Sequence, residues 1–105
     1  MQRIAIIGGG ASGLVASIYA VDSNHKVTVF EGNIEPLKKV LMTGNGRCNY
    51  WNEDMDIKYY HSNEEELLQS IITEDNQEEI LRFFEKLGIV PKIKNGYYYP
   101  FSNQA

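Results

Sequence analysis

A glycine-rich turn near the N-terminus constrains the fold of this chain more than any other feature. Residues 8–13, Gly-Gly-Gly-Ala-Ser-Gly, fit the pattern G-x-G-x-x-G. The turn follows a short apolar run at residues 3–7 and precedes a small, apolar segment without proline at residues 11–21. A β-branched run stopped by glycine is typical of a parallel strand buried on both faces, so the pattern predicts strand, turn and helix.

A second apolar run at residues 26–30 predicts another strand, which ends at Glu31. The fold class predicted is therefore α/β, with the β-α-β opening of a Rossmann-type, FAD- or NAD(P)-binding fold. An acid about 20 residues after the first glycine accepts hydrogen bonds from a ribose diol in such folds. The same acid would repel a 2′-phosphate, which disfavours NADP at this position.

Each residue of the turn has a separate predicted task. Gly8 allows the tight turn, Gly10 lets a pyrophosphate approach the backbone, and Gly13 lets the helix pack against the sheet. Ala11 and Ser12 open the helix, whose free N–H groups and dipole face the phosphates. The alternative interpretation is a purely structural turn, with the acid merely solvated.

Beyond residue 52 the pattern predicts two helices and a β-hairpin. Ser62 with Glu65 matches a capping box, and a second helix is expected from about Asn76 to Leu87, ended by Gly88. Its predicted inner face consists of Ile80, Leu81, Phe84 and Leu87. Residues 91–94, Asn95-Gly96 and residues 97–99 form a hairpin pattern with a type I′ turn. We divide the chain into a dinucleotide-binding part, residues 1–52, and a helical and hairpin part, residues 53–105.

Residues 43–49, Thr-Gly-Asn-Gly-Arg-Cys-Asn, resemble a loop of one flavoprotein family. That family is the NAD(P)/FAD-dependent oxidoreductases that include aminoacetone oxidase and bile-acid reductase types. The glycine turn and the segment at residues 99–105 are similar to the same family, so the resemblance covers the chain in register. The family commonly has glycine where this chain has Leu37, and Leu-Thr where it has Tyr50-Trp51.

The resemblance implies an FAD-binding site and an enzyme in which NAD(P)H passes hydride through the flavin to a substrate or oxygen. It places the loop beside the flavin and pyrophosphate. The cofactor-binding candidates in that loop are Thr43, Gly44, Asn45, Gly46 and Arg47. Glycines permit close backbone approach, and the planar Arg47 fork suits a phosphate or a carbonyl edge. A structural ion pair is the alternative for Arg47, and packing is the preferred interpretation of Cys48 and of the many tyrosines.

Composition excludes several classes of protein. A net charge of -4 and a pI near 5.1 disfavour a nucleic-acid partner. A single cysteine and two distant histidines form neither a disulfide framework nor a metal site. No run suits a signal peptide or a membrane span, so a cytoplasmic location is expected. The substrate expected for an enzyme of the resembling family is a small molecule. A non-catalytic, NAD- or nucleotide-binding module is the rival functional hypothesis.

The 105 residues supply two parallel strands, and a doubly wound sheet needs several. We therefore expect this chain to be the N-terminal portion of a longer enzyme and to be inactive alone. The isolated 105-residue chain should bind FAD weakly and should self-associate or fold only in part.

Overall fold

The computed structural model describes residues 1–102 and residue 104. Asn103 and Ala105, which belong to the resembling segment at residues 99–105, lie outside the described residues. The strands are β1 (Arg3–Ile7), β2 (Lys26–Phe30), β3 (Trp51–Asn52), β4 (Pro91–Lys94) and β5 (Tyr97–Pro100). The helices are α1 (Ala11–Asp22), α2 (Glu65–Ile71) and α3 (Glu74–Lys86), with 3-10 turns at Val40–Gly46 and Ile57–Tyr59.

Two separate sheets organise these elements. β1 and β2 pair in parallel, with Arg3 opposite Lys26 and Ile7 opposite Phe30, and α1 connects them. β3, β5 and β4 form an antiparallel sheet in that order. The predicted α/β class is confirmed, with its Rossmann-type β-α-β opening, two later helices and a hairpin. The two-residue strand β3 was not predicted, because two residues carry no periodicity.

The prediction that β1 is buried on both faces is wrong for this chain. Ile4 and Ile6 are half-buried, whereas Ala5 is exposed and Ile7 is 83% exposed. The strands are exposed on one face because α1 packs only on the other, and the described residues supply no second layer. Within residues 1–102 and 104, no hydrophobic or polar side chain is fully buried. A two-stranded parallel sheet is therefore present without the burial that such sheets normally have.

The capping box predicted at Ser62 and Glu65 does not form. The Glu64 N–H donates to Ser62 Oγ (3.0 Å), which is a local turn, and α2 begins only at Glu65 without a side-chain cap. Glu64 itself has φ -105° and ψ 74°, which is not helical. Ser62 thus satisfies a donor outside the helix and leaves the first turn of α2 uncapped.

α3 begins earlier than predicted, and its predicted inner face is confirmed in part. Thr73 caps it by accepting from the Asn76 N–H (3.1 Å). Of the predicted inner face, Leu81 and Phe84 are half-buried as expected, whereas Ile80 and Leu87 are 46% and 51% exposed. Phe83, which was not predicted to face inward, is also half-buried. At the other end Gly88, with φ 84°, ends the helix as predicted. Its N–H donates to Glu85 O and the Ile89 N–H to Phe84 O, which is the Schellman arrangement.

Aromatic side chains connect α1, α3 and the small sheet. Tyr19 of α1 stacks on Phe83 with ring centroids 5.6 Å apart, and Phe84 lies 4.7 Å from the ring of Tyr50. Trp51 packs edge-on against Tyr98 at 4.8 Å, and its indole N–H donates to Gln77 O (2.9 Å). Packing is thus the correct interpretation of Trp51. Tyr50 and Trp51, two positions at which the chain differs from the resembling family, therefore connect the small sheet to α3.

The hairpin is confirmed in detail. Asn95 and Gly96 both have positive φ, 54° and 80°, as a type I′ turn requires. None of the helices within the described part of the chain is long and apolar enough to cross a membrane.

Candidate functional site

The glycine turn lies at the carboxyl ends of β1 and β2. The Gly8 N–H donates to Phe30 O (2.8 Å), and the first helical bond runs from the Leu14 N–H to Gly10 O (3.0 Å). Gly8 has φ 103°, a value that side chains rarely adopt. The turn therefore needs glycine at this position for conformational reasons alone.

The surroundings of Gly13 are crowded, whereas those of Gly10 are open. A Cβ on Gly13 would lie 2.0 Å from the carbonyl oxygen of Gly8, so the helix packs directly on the turn. A Cβ on Gly10 would meet nothing within 4 Å. Gly10 caps α1 without a side-chain hydrogen bond, and no acidic residue occupies the first turn, which Ala11 and Ser12 open. The open space at Gly10 thus adjoins unpaired backbone donors and the positive end of a helix dipole.

Glu31 is fixed against the turn by its own hydrogen bonds. Its Oε1 accepts from the Gly9 N–H (2.9 Å), and its Oε2 accepts from the Asn33 N–H (2.6 Å). The Asn33 and Gly9 backbone bonds hold the pKa of the Glu31 carboxyl below its usual value of 4.5. A carboxylate has about four lone-pair positions, so capacity remains for a diol.

Leu37 brings the segment after β2 back to the turn. Its N–H donates to Gly9 O (2.9 Å), and its φ is 59°. A left-handed leucine is strained, which gives a physical reason for the glycine that the resembling family commonly has there. Gly9 was given no task from the sequence, yet it holds both Glu31 and Leu37 through its backbone.

The loop at residues 43–47 is tight, and its three central residues have left-handed backbone. Gly44, Asn45 and Gly46 have φ of 55°, 57° and 81°. The Cys48 N–H donates to Thr43 O (3.0 Å), and the Thr43 hydroxyl donates to Val40 O (2.7 Å). A Cβ on Gly44 would lie 2.7 Å from the Asn49 nitrogen and 3.1 Å from the Tyr99 ring. Gly44 is therefore required by close packing within the chain itself.

Arg47 lies over the ring of Tyr99, with its guanidinium carbon 5.6 Å from the centroid. In the described part of the chain the one ion pair is Arg82 with Glu78, so Arg47 is not held by a carboxylate. The structural ion pair considered for Arg47 is thus absent among the described residues. Cys48 is half-buried, with φ 61°.

The structure therefore brings some predicted residues together and leaves others apart. Gly8, Gly10, Ala11, Ser12, Gly13 and Glu31 share one end of the parallel sheet. Across residues 1–102 and 104, no hydrogen bond joins this group to the loop at residues 43–47. The loop is instead packed on Tyr99, a contact that no local sequence pattern indicates.

Fold and site together define a Rossmann-type nucleotide-binding unit. Residues 2–105 match the family described as the HI0933-like protein Rossmann domain. The chain belongs to this HI0933-like Rossmann-domain family, which confirms the family resemblance drawn from the loop and turn.

Among its relatives is a 3-dehydro-bile acid delta(4,6)-reductase of Clostridium scindens, 46% identical over 107 residues. The match covers all of this chain and 26% of that protein. A ribosomal RNA dihydrouridine synthase of Escherichia coli is 31% identical over 84 residues, 80% of this chain and 21% of that protein. The protein of the same name from Haemophilus influenzae is 29% identical over 84 residues. The chain thus spans about a quarter or less of the length of these relatives.

Proposed function

We propose that this chain is the N-terminal FAD-binding part of an oxidoreductase. One observation carries the proposal: an open space at Gly10 lies at the N-terminus of α1, and Glu31 is hydrogen-bonded to the same turn. A pyrophosphate fits backbone donors that no side chain blocks, and a ribose diol fits a carboxylate with lone pairs to spare. The geometry suits the adenosine diphosphate half of a dinucleotide.

The residues of the chain would divide the work of binding. The N–H groups of Ala11, Ser12 and Gly13 would bind phosphate oxygens, and Glu31 would accept from the ribose hydroxyls. Thr43, Gly44, Asn45, Gly46 and Arg47 would lie beside the flavin and pyrophosphate, with Arg47 offering a fixed cation. Bound flavin would supply the redox chemistry, accepting hydride from NAD(P)H and delivering electrons to a substrate or oxygen.

We propose a small molecule as the substrate class. The relative with the higher identity is named a reductase of a bile acid, whereas the two named for ribosomal RNA are more distant. A net charge of -4 also gives little attraction for a polyanion. The same composition, with one cysteine, supports a cytoplasmic location.

The visible spectrum of the purified full-length protein tests the proposal. Oxidised flavin absorbs visible light, and anaerobic addition of NADH or NADPH should bleach it. A colourless protein that binds NAD would instead support the rival non-catalytic module. A flavin that neither nicotinamide reduces would contradict the proposed electron donor.

Glu31→Gln in the full-length protein should weaken FAD binding about tenfold at neutral pH, because a charge-assisted hydrogen bond becomes a neutral one. The lowered pKa of Glu31 sets the pH dependence. A depressed carboxyl pKa stabilises the folded, charged form above the usual value of 4.5, and this effect is lost as the pH falls through the lowered pKa.

Because the pKa of Glu31 lies below 4.5, its carboxylate stays ionised from neutral to mildly acidic pH. The difference in FAD affinity between wild type and Glu31→Gln should therefore be constant over this range and vanish only below pH 4.5. Calorimetric titration of the apoprotein with FAD across this range measures it. Equal affinity of the two proteins at neutral pH would remove Glu31 from the binding site.

A further inference from the structure

The ring of Tyr99 in β5 makes two contacts with the loop at residues 43–47. The guanidinium carbon of Arg47 lies 5.6 Å from the ring centroid, within the roughly 6 Å over which an aromatic face attracts a cation. Gly44 approaches the edge of the same ring, where a Cβ on Gly44 would lie 3.1 Å from it. Both contacts involve the ring, and neither involves the hydroxyl. Tyr99 and Arg47 are both half-buried, so solvent screens their attraction only in part.

The residues that follow the loop are fixed to the same strand. The Tyr50 N–H donates to Tyr98 O (3.0 Å), and Trp51 pairs with Tyr98. Asn49, with its side-chain nitrogen as the donor, bonds to Tyr98 O (3.3 Å) and Trp51 O (3.0 Å). β5 therefore holds the end of the loop through its main chain, and Tyr99 is the next residue along that strand.

An aromatic ring restrains a guanidinium in a different way from a carboxylate. A carboxylate accepts from two N–H groups of the guanidinium and neutralises its charge. A ring attracts the cation through its face, which leaves both the charge and the N–H donors unused. In the part of the chain that the structure describes, Arg47 has the ring contact and no carboxylate partner. Tyr99 thus restrains Arg47 without neutralising it.

The restraint matters because a guanidinium binds a ligand only from a narrow range of positions. Its N–H donors are directional, and each must point at an acceptor of the ligand. An arginine that samples many rotamers occupies the binding one for a fraction of the time, and the apparent affinity falls by that fraction. A ring that favours one position of Arg47 can therefore strengthen binding without touching the ligand.

We propose that Tyr99 is a positioning residue of the cofactor site, which keeps the Arg47 guanidinium in the position from which it binds FAD. The inference rests on the proposed function, in which Arg47 lies beside the flavin and pyrophosphate. It also gives the hairpin a task in cofactor binding. A strand from the part of the chain at residues 53–105 supports a binding residue from the part at residues 1–52.

Calorimetric titration of the full-length apoprotein with FAD tests the inference. Arg47→Gln should lower the affinity for FAD about tenfold, because a charge-assisted hydrogen bond becomes a neutral one. Tyr99→Leu should lower it about threefold, which corresponds to the loss of a cation–π contact at a partly exposed site. The double variant should bind FAD no more weakly than Arg47→Gln alone, since the ring acts only through the arginine.

Two tyrosine variants serve as controls. Tyr99→Phe keeps the ring and should bind FAD as the wild type does. Tyr97→Leu removes a ring from the same strand that is 43% exposed, and it should also leave the affinity unchanged. If Tyr99→Leu does not fold, Tyr99→Met fills the same space with an adaptable side chain that lacks a ring and takes its place in the cycle.

The cycle separates positioning from a merely structural role. A threefold loss that persists when Tyr99→Leu is added to Arg47→Gln means a structural role and overturns the inference. Wild-type affinity in either single variant overturns it as well. In each of these outcomes the wild-type protein still binds FAD, so the proposed function stands. A wild-type apoprotein that does not bind FAD refutes the proposed function itself.

Discussion

Gly10→Val should yield a full-length protein that folds normally and contains no flavin. Gly10 has φ -79° and ψ -172°, which valine adopts without strain, and a Cβ there meets nothing within 4 Å. The branched side chain would instead fill the space proposed for the pyrophosphate. Loss of several phosphate hydrogen bonds corresponds to about a hundredfold or greater fall in FAD affinity.

Thermal unfolding of the purified variant measures whether it folds normally, and its flavin content measures whether it binds FAD. Gly10→Ala, with a smaller obstruction, should be intermediate in flavin content. Its apoprotein should equal the wild-type apoprotein in thermal stability, since bound flavin itself stabilises the fold. A fully loaded Gly10→Val protein would show that the phosphates bind elsewhere.

Unlike Gly10→Val, which should fold normally, Gly13→Ala should destabilise the fold itself. Glycine to alanine inside a helix ordinarily stabilises by about 1 kcal/mol, so the sign of the change is informative. Here the new methyl carbon would lie 2.0 Å from a backbone oxygen of Gly8, which cannot rotate away. We expect a net loss of about 3 kcal/mol, because α1 must move off the turn.

Urea unfolding of the full-length protein gives the free energy directly. Ala16→Gly, at an exposed position of the same helix, is the matched control and should cost only about 1 kcal/mol. A Gly13→Ala variant more stable than wild type would contradict the close packing of α1 on the turn.

Local patterns predicted the β-α-β unit and the hairpin because each has a short-range cause. Short apolar runs, the glycine-rich turn and the Asn95-Gly96 pair specify strands and turns within a few residues. Ser62 shows the limit of such patterns. The motif matched a capping box, but the chain uses the hydroxyl in a turn before α2 begins.

Contacts between distant segments could not be predicted in this way. The pairing of Trp51 with Tyr98, the contact of Arg47 with Tyr99 and the bond from the Leu37 N–H to Gly9 depend on tertiary structure. The sequence also predicted the candidate site only as separate residues, without the contacts that join them. Gly9 was missed because its role lies in its backbone, although three consecutive glycines were a signal that more than one was needed.

For the nucleotide that we propose binds here, the two bonds that Glu31 makes to the backbone bear on the kinetics of capture. A carboxylate already held in one rotamer loses little conformational entropy when a ribose arrives, since that loss occurred when the chain folded. Association of a nucleotide with Glu31 and the glycine turn should then proceed without a slow ordering step. Differences in affinity among variants of the turn should accordingly appear in the rate of release more than in the rate of capture.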